Sequence, residues 1–238
     1  YASVPARSWE LLPPASLEAL AGEEPFSMRL SWPAVEEADA YEVSLHDAGD
    51  TPVRDTVIAE GTDALLLDVV PGTYTVKVAP QWSGYTFGAV SAQAVVDKKT
   101  LSVHVGDTSR MYGQENPEQY VLEYSGWIGA HTSVAVAPEV VTGAVPSSPA
   151  GEYALNVSGG EDAWYTFSGL PGVLTVTKAP LHVSVADTSR YYHKPDPEFR
   201  LIYEGFLLED DASVLQQEPV AASNATLESD FGVYDITL

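Results

Sequence analysis

Apolar and polar residues alternate in short runs along most of this chain. Met28-Arg-Leu-Ser-Trp32 and Tyr41-Glu-Val-Ser-Leu45 place every second side chain on one face. The same pattern returns at Tyr74-Thr-Val-Lys-Val78, Leu101-Ser-Val-His-Val105, Leu174-Thr-Val-Thr177 and Leu181-His-Val-Ser-Val185. A period of two predicts β-strands with one face on a core and the other in water. Gly and Pro fall between the runs, where turns need them. No stretch in the second half keeps a helical period over about 11 residues. The expected fold class is all-β, built as small modules in tandem.

The second half repeats itself. Leu101–Glu118 aligns with Leu181–Glu198 at a shift of 80, with ten of eighteen positions identical. The match includes Asp107-Thr-Ser-Arg110 with Asp187-Thr-Ser-Arg190, and Pro117-Glu118 with Pro197-Glu198. Later landmarks follow with slips of one residue: Tyr124 with Tyr203, Pro138 with Pro219, Tyr153 with Tyr234. Such self-similarity marks a duplicated structural unit. The second copy is incomplete. After Tyr153 the first continues through Tyr165-Thr-Phe167 and Leu174-Thr-Val176, whereas only Asp-Ile-Thr-Leu follows Tyr234. About two strands lack a counterpart, which leaves an unpaired edge that attracts a partner strand. A natural chain that continues past Leu238 is one expectation; the absent initiator Met suggests a processed product.

Residues 14–97 form a different module. Trp32-Pro33, Ala40-Tyr-Glu-Val43 and Pro71-Gly-Thr-Tyr74-Thr-Val-Lys-Val78 follow each other at the strand-and-turn spacing of a sandwich. This order resembles a fibronectin type III domain. The resemblance implies that Trp32 packs inside the sandwich and that the Tyr74 hydroxyl bonds back to the backbone at a corner. There is no Arg-Gly-Asp, so integrin binding is not implied. Residues 1–13, with Trp9 and Pro13-Pro14, read as a lead-in segment that lies against the sandwich.

The repeat, with Tyr112-Gly113, Asn116-Pro-Glu118 and Tyr192, Asp196-Pro-Glu198, is similar to the MBG family of bacterial extracellular repeats. It covers residues 99–179 as a full unit and 180–238 as a partial one. The second copy departs at His193, where the family has glycine, and the turn there is less readily made by histidine. The resemblance implies a bacterial, extracellular or cell-surface setting with adhesin-type modules nearby.

Composition narrows the function. Eleven Lys and Arg against 34 Asp and Glu give a net charge of −23. Such a chain repels phosphate backbones and anionic lipid, so nucleic acid and membrane surfaces are excluded as partners. No apolar run approaches the about 18 residues of a membrane span. With no cysteine there is neither a disulfide nor a thiolate metal site. The five histidines show no metal-ligand spacing and read as solvent-facing strand residues. The acids at Glu209-Asp-Asp211 read as a solvated turn, since calcium needs about 6–8 converging oxygens. No metal, cofactor or catalytic residue is expected, and no motif of an enzyme is present. Asp107-Thr-Ser-Arg110 and its copy read as strand-ending structural residues, the arginine pairing with a nearby carboxylate.

Six aromatics, Trp82, Tyr85, Trp127, Trp164, Tyr191 and Tyr192, are candidates for a binding platform. Trp82 and Tyr85 stand in a Gly-containing loop and are the chosen pair, with a host or matrix protein or a glycan as the candidate ligand. The expectation is a non-catalytic spacer or adhesion stalk of a bacterial surface protein, whose modules have separate cores and whose partners include adjacent modules of the parent chain. The alternatives are a true glycan- or protein-binding module and an accessory region of a secreted polysaccharide-degrading enzyme.

Overall fold

The computed structural model describes residues 11–238, so Trp9 and most of the lead-in segment lie outside the described residues. The fold is all-β, as the alternation predicts. Strands β1 (Glu18–Ala21), β2 (Met28–Ser31), β3 (Ala40–His46), β4 (Val57–Ala59), β5 (Asp63–Leu66), β6 (Gly72–Trp82), β7 (Tyr85–Thr86) and β8 (Val90–Val96) come first. The first repeat follows with β9 (Lys99–Val105), β10 (Thr108–Met111), β11 (Leu122–Ser125), β12 (Glu139–Val141), β13 (Gly151–Ser158), β14 (Tyr165–Leu170) and β15 (Gly172–Thr177). The second has β16 (His182–Val185), β17 (Leu201–Glu204), β18 (Ala222–Ser223) and β19 (Ile236–Thr237). Among the described residues no helix is long and apolar enough to cross a membrane.

The chain divides into two compact units. The first runs to Val103 and takes in Tyr124–Glu139 and Ser158–Gly169; the second holds His104–Glu123, Val140–Val157 and Leu170–Leu238.

In the first unit, β1-β2-β5 form one sheet and β4-β3-β6-β7 another, with β8 also on β6. The burial of β3 alternates strictly, Tyr41, Val43 and Leu45 inward. They meet Met28, Leu30, Leu66, Val76 and Val78, all almost fully buried, in a single core. Trp32 is 5% exposed and packs edge-on against Tyr41 at 5.4 Å, the interior position the fibronectin type III resemblance implies. The Tyr74 hydroxyl donates to Val70 O at 2.5 Å, closing the corner. A Cβ at Gly72 would stand 3.2 Å from that hydroxyl, so the small residue leaves room for the ring to fold back. Tyr74→Phe is expected to cost about 1 kcal/mol, one net hydrogen bond, in urea unfolding.

The same unit holds one end of the first repeat. Leu101, Tyr165 and Phe26 are buried together, with Tyr124, Trp127, Ile128, Trp164 and Phe167 around them. Phe26 belongs to the sandwich sequence yet packs edge-on on Trp164 at 4.9 Å and on Tyr165 at 6.0 Å. The expectation of a separate core for each module is therefore corrected at this junction. Phe26 is held at φ 57°, and aromatic burial there offsets the cost of that backbone.

In the second unit, β15 is one of the two inner strands of the order β10-β15-β13-β12. It pairs in parallel with β10, Thr108 opposite Leu174, and antiparallel with β13, Tyr153 opposite Leu174. Val105, Ala144, Leu155 and Leu174 form its core. The second repeat pairs only β16 with β17 and β18 with β19. Among the described residues none beyond Val176 is buried.

Candidate functional site

The chosen aromatic pair sits at the tip of the β6–β7 hairpin. Trp82 and Tyr85 are cross-strand partners, so their side chains share one face. Ser83 and Gly84 join them with φ of 50° and 81°, the two positive values that a two-residue hairpin turn matching strand twist requires. The tip is fixed from below. Ser83 N–H donates to Asp39 Oδ2 at 2.8 Å, and Thr86 Oγ1 donates to Glu42 Oε2 at 2.9 Å. Trp82 is 37% and Tyr85 72% exposed, giving a preorganised aromatic face open to solvent.

The other four aromatics divide. Trp127 and Trp164 are packed around Tyr165. Tyr191 and Tyr192 are exposed, Tyr192 edge-on to His193 at 4.1 Å. A strand pattern could not separate these fates, because Trp127 and Trp164 lie outside the alternating runs.

The arginines of the repeated Asp-Thr-Ser-Arg motif bond one side-chain and one backbone oxygen each, and in the first copy the aspartate holds backbone as well. Asp107 Oδ1 accepts from Val173 N–H at 2.8 Å, which ties it to β15. Buried Arg110 donates from Nε to Asn116 Oδ1 at 2.7 Å and from Nη2 to Val145 O at 2.6 Å. In the second copy Arg190 Nε meets Asp196 Oδ1 at 2.6 Å and its Nη2 donates to Thr226 O. The arginine thus finds a carboxylate in the second repeat only; the first offers the neutral Asn116.

More of the lattice is duplicated. The N–H groups of Val145 and Thr226 donate to Ser148 and Ser229 Oγ at 2.9 and 2.8 Å. The hydroxyls of Tyr153 and Tyr234 donate to Pro149 and Asp230 carbonyls, both at 2.8 Å. Gly113 has φ 84° and His193 φ 61°, so histidine keeps the turn that glycine makes in the first copy. Gly126 and Gly205, at φ 100° and 113°, pass so close to Thr100 O and Pro180 O that a Cβ would lie 3.2 and 2.8 Å from them.

Several other titratable groups hold local structure. Asp162 accepts from Ala135, Trp164 and Tyr165 N–H groups. Asp211 caps a 3-10 turn through Ser213 N–H, and the Ser213 hydroxyl together with that N–H lowers its pKa. Asp210 accepts from the Tyr112 hydroxyl, which raises the phenol's pKa. The histidine expectation needs correction at His131. It lies in a loop beside Tyr165 Oη at 3.1 Å and stacks on Phe26, because the aromatic cluster supplies both a ring face and a polar tip. Among the described residues no three His, Asp or Glu side chains converge as a metal needs.

The MBG domain (YGX type) family matches residues 101–175 and 181–238. Among solved structures, a segment of two fibronectin type III domains from chicken tenascin is 13% identical, with 68% of this chain and 98% of that chain covered at TM-score 0.41. A Fn3-like protein from Clostridium thermocellum is 21% identical, covering 35% of this chain and 93% of that chain at TM-score 0.30. The fn3 domain of human collagen alpha-1(XX) is 24% identical, covering 40% and 92% at TM-score 0.33. No curated protein matches the sequence.

Proposed function

Because the chain belongs to the MBG domain (YGX type) family, we propose that it works as a non-catalytic spacer and adhesion stalk in a bacterial surface protein. Fibronectin type III-like and MBG modules make up a modular region of the extracellular, surface-protein kind, and such modules typically carry no catalysis. The observation that carries the reading is the duplicated lattice. Arginine, serine and tyrosine, the groups that chemistry would use, are engaged with backbone at equivalent places in both repeats. A stalk needs this, since its side chains must hold strand ends rather than turn over a substrate. The charge of −23 keeps such segments apart from each other.

The test displays the chain from a heterologous cell-surface anchor with an epitope ahead of the sandwich. Deleting residues 99–238 is expected to reduce access of a large antibody conjugate, and an unrelated β-module pair of equal length is expected to restore it. A loss that only the native repeats restore would overturn the spacer role.

The β6–β7 tip favours a second reading, a glycan- or protein-binding module. An exposed aromatic face on a fixed hairpin loses little entropy when it binds. This reading predicts saturable binding on a panel of glycans and matrix proteins, weakened about tenfold or more by Trp82→Ala or Tyr85→Ala. Stability should change little, within about 0.5 kcal/mol for Tyr85→Ala at its exposed position. Binding that both variants retain would remove the hairpin from the interface.

A further inference from the structure

One loop of the repeat is built twice to the same shape from different residues. Gly126-Trp-Ile-Gly-Ala-His131 corresponds to Gly205-Phe-Leu-Leu-Glu-Asp210 at a shift of 79, with only the first glycine identical. That glycine has a positive φ in both copies and lies against the carbonyl of Thr100 or Pro180. The aromatic residue after it rests on a tyrosine of its own repeat. Trp127 and Tyr124 have ring centres 5.7 Å apart and planes 37° from parallel; Phe206 and Tyr203 have 5.6 Å and 38°. Gly129 and Leu208 share a left-handed backbone, φ 60° and 56°. The N–H groups of His131 and Asp210 close the turn on the Ile128 and Leu207 carbonyls, both at 3.2 Å. In both loops the second, third and sixth residues are half-buried and the others exposed.

The tips touch different neighbours in the same sense. His131 stacks on Phe26 of the sandwich at 6.0 Å and 20°, and Ile128 packs on the cluster that holds that ring. In the second copy the equivalent residues meet the first repeat. Leu207 lies over Gly113, where a Cβ would stand 2.8 Å from its Cδ1 and 3.1 Å from its Cβ. Asp210 accepts the Tyr112 hydroxyl. Each contact lies inside one compact unit, and each neighbour is the module that precedes the repeat in the chain. The cause is local. The root of the loop is pinned beside residue 100 or 180, where the chain enters the repeat, so the tip meets the module the chain has just left.

We infer that this loop is the surface by which each repeat grips the module before it, and that its sixth residue matches what that module offers: an imidazole for an aromatic ring, a carboxylate for a phenol hydroxyl. The third residue supplies the apolar contact, Ile128 against rings and Leu207 against a bare glycine. Tyr112-Gly113 thereby acts as a socket: its hydroxyl takes Asp210, and its missing side chain admits Leu207. The sixth residues are not interchangeable. A carboxylate at position 131 would lose water against Phe26, Trp164 and Tyr165 with no cation to pair it. The inference stands on the two loops alone and goes beyond the spacer role.

The test uses the full chain, whose lack of cysteine lets spin labels be placed singly. Labels at Glu152→Cys and Glu198→Cys, exposed positions of the first and second repeats, are expected to give a narrow distance distribution. Leu207→Ser with Asp210→Ala should broaden it about twofold or more as the contact opens. Glu209→Ala, at an exposed place in the same loop, should leave it unchanged. Tyr112→Phe, which removes one hydroxyl from the socket, should broaden it as Asp210→Ala does, with no further effect when the two are combined. At the sandwich, the Val69 N–H donates to Phe26 O at 2.8 Å and reports on the anchoring of that residue. Its hydrogen exchange should quicken about fivefold in His131→Ala, the worth of one ring contact, and more in His131→Asp. His131→Phe should keep most of the protection, and the Trp32 N–H, bonded to Thr62 O, should not change in any of the three. An unchanged width in the Leu207/Asp210 variant, additive effects of Tyr112→Phe and Asp210→Ala, or equal broadening by Glu209→Ala would overturn the proposal. So would Val69 exchange that is indifferent to His131.

Discussion

Tyr165→Ala is expected to destabilise the first unit by about 3–5 kcal/mol, the range for removing a large aromatic from a core. Three properties place Tyr165 at the top. Its side chain is 2% exposed, the largest among those fully buried. Its ring stands edge-on to Trp127 at 5.5 Å, to His131 at 5.7 Å and to Phe26 at 6.0 Å. Its hydroxyl accepts the Ile128 N–H at 2.8 Å and faces His131 Nδ1 at 3.1 Å. Truncation opens a cavity among rings that cannot collapse and leaves a backbone donor without a partner. Tyr165→Phe keeps the ring and loses only the hydroxyl, so a loss of about 1–2 kcal/mol is expected from the orphaned donor. Urea unfolding followed by tryptophan fluorescence reads both, since Trp127 and Trp164 report on this cluster. Equal losses for the two variants would mean that the hydroxyl, rather than ring packing, dominates.

The alternation made most of the strands legible. Val43, Leu45, Val76, Val78, Val103 and Leu174 are all inward where period two puts them. The repeat was legible too, because matched residues of the two copies make the same kinds of bond, as the serine and tyrosine pairs at a shift of 81 do. The aromatic cluster was not. Phe26, His131 and Trp164 are distant in sequence and lie in turns, where no periodicity tells an inward ring from an outward one. The hairpin under Trp82 and Tyr85 was half legible. Ser83-Gly84 signals a tight turn, but the bond from Ser83 N–H to Asp39 joins segments 44 residues apart. The partner of each arginine stayed hidden for the same reason. The motif and its acceptor Val145 or Thr226 are separated by 35 or 36 residues.

That arginine supplies the second large effect, and the duplication provides its control. Arg110→Ala is expected to cost about 3 kcal/mol, because Val145 O and Asn116 Oδ1 lose their donor in a buried site and each unpaired group costs about 1–3 kcal/mol. Asn116 cannot compensate by turning over, since its Nδ2 already donates to Ala144 O at 2.7 Å. Arg110→Lys should recover little, because one ammonium cannot reproduce the fork that reaches both acceptors. Arg190 makes the same two kinds of bond, yet its side chain is 16% exposed and its partner Asp196 30% exposed. Water replaces what is lost there, so Arg190→Ala is expected to cost about 1 kcal/mol. Salt separates the two sites further. The Arg190–Asp196 ion pair should weaken on going from low to high ionic strength, while Arg110, bonded to neutral oxygens, should be nearly indifferent. Hydrogen exchange at Val145 to Ser148 and at Thr226 to Ser229 reads the two sites separately in one protein. If Arg190→Ala proved the more damaging substitution, burial would not be what distinguishes the two repeats, and the view of the second as an open copy of the first would have to be abandoned.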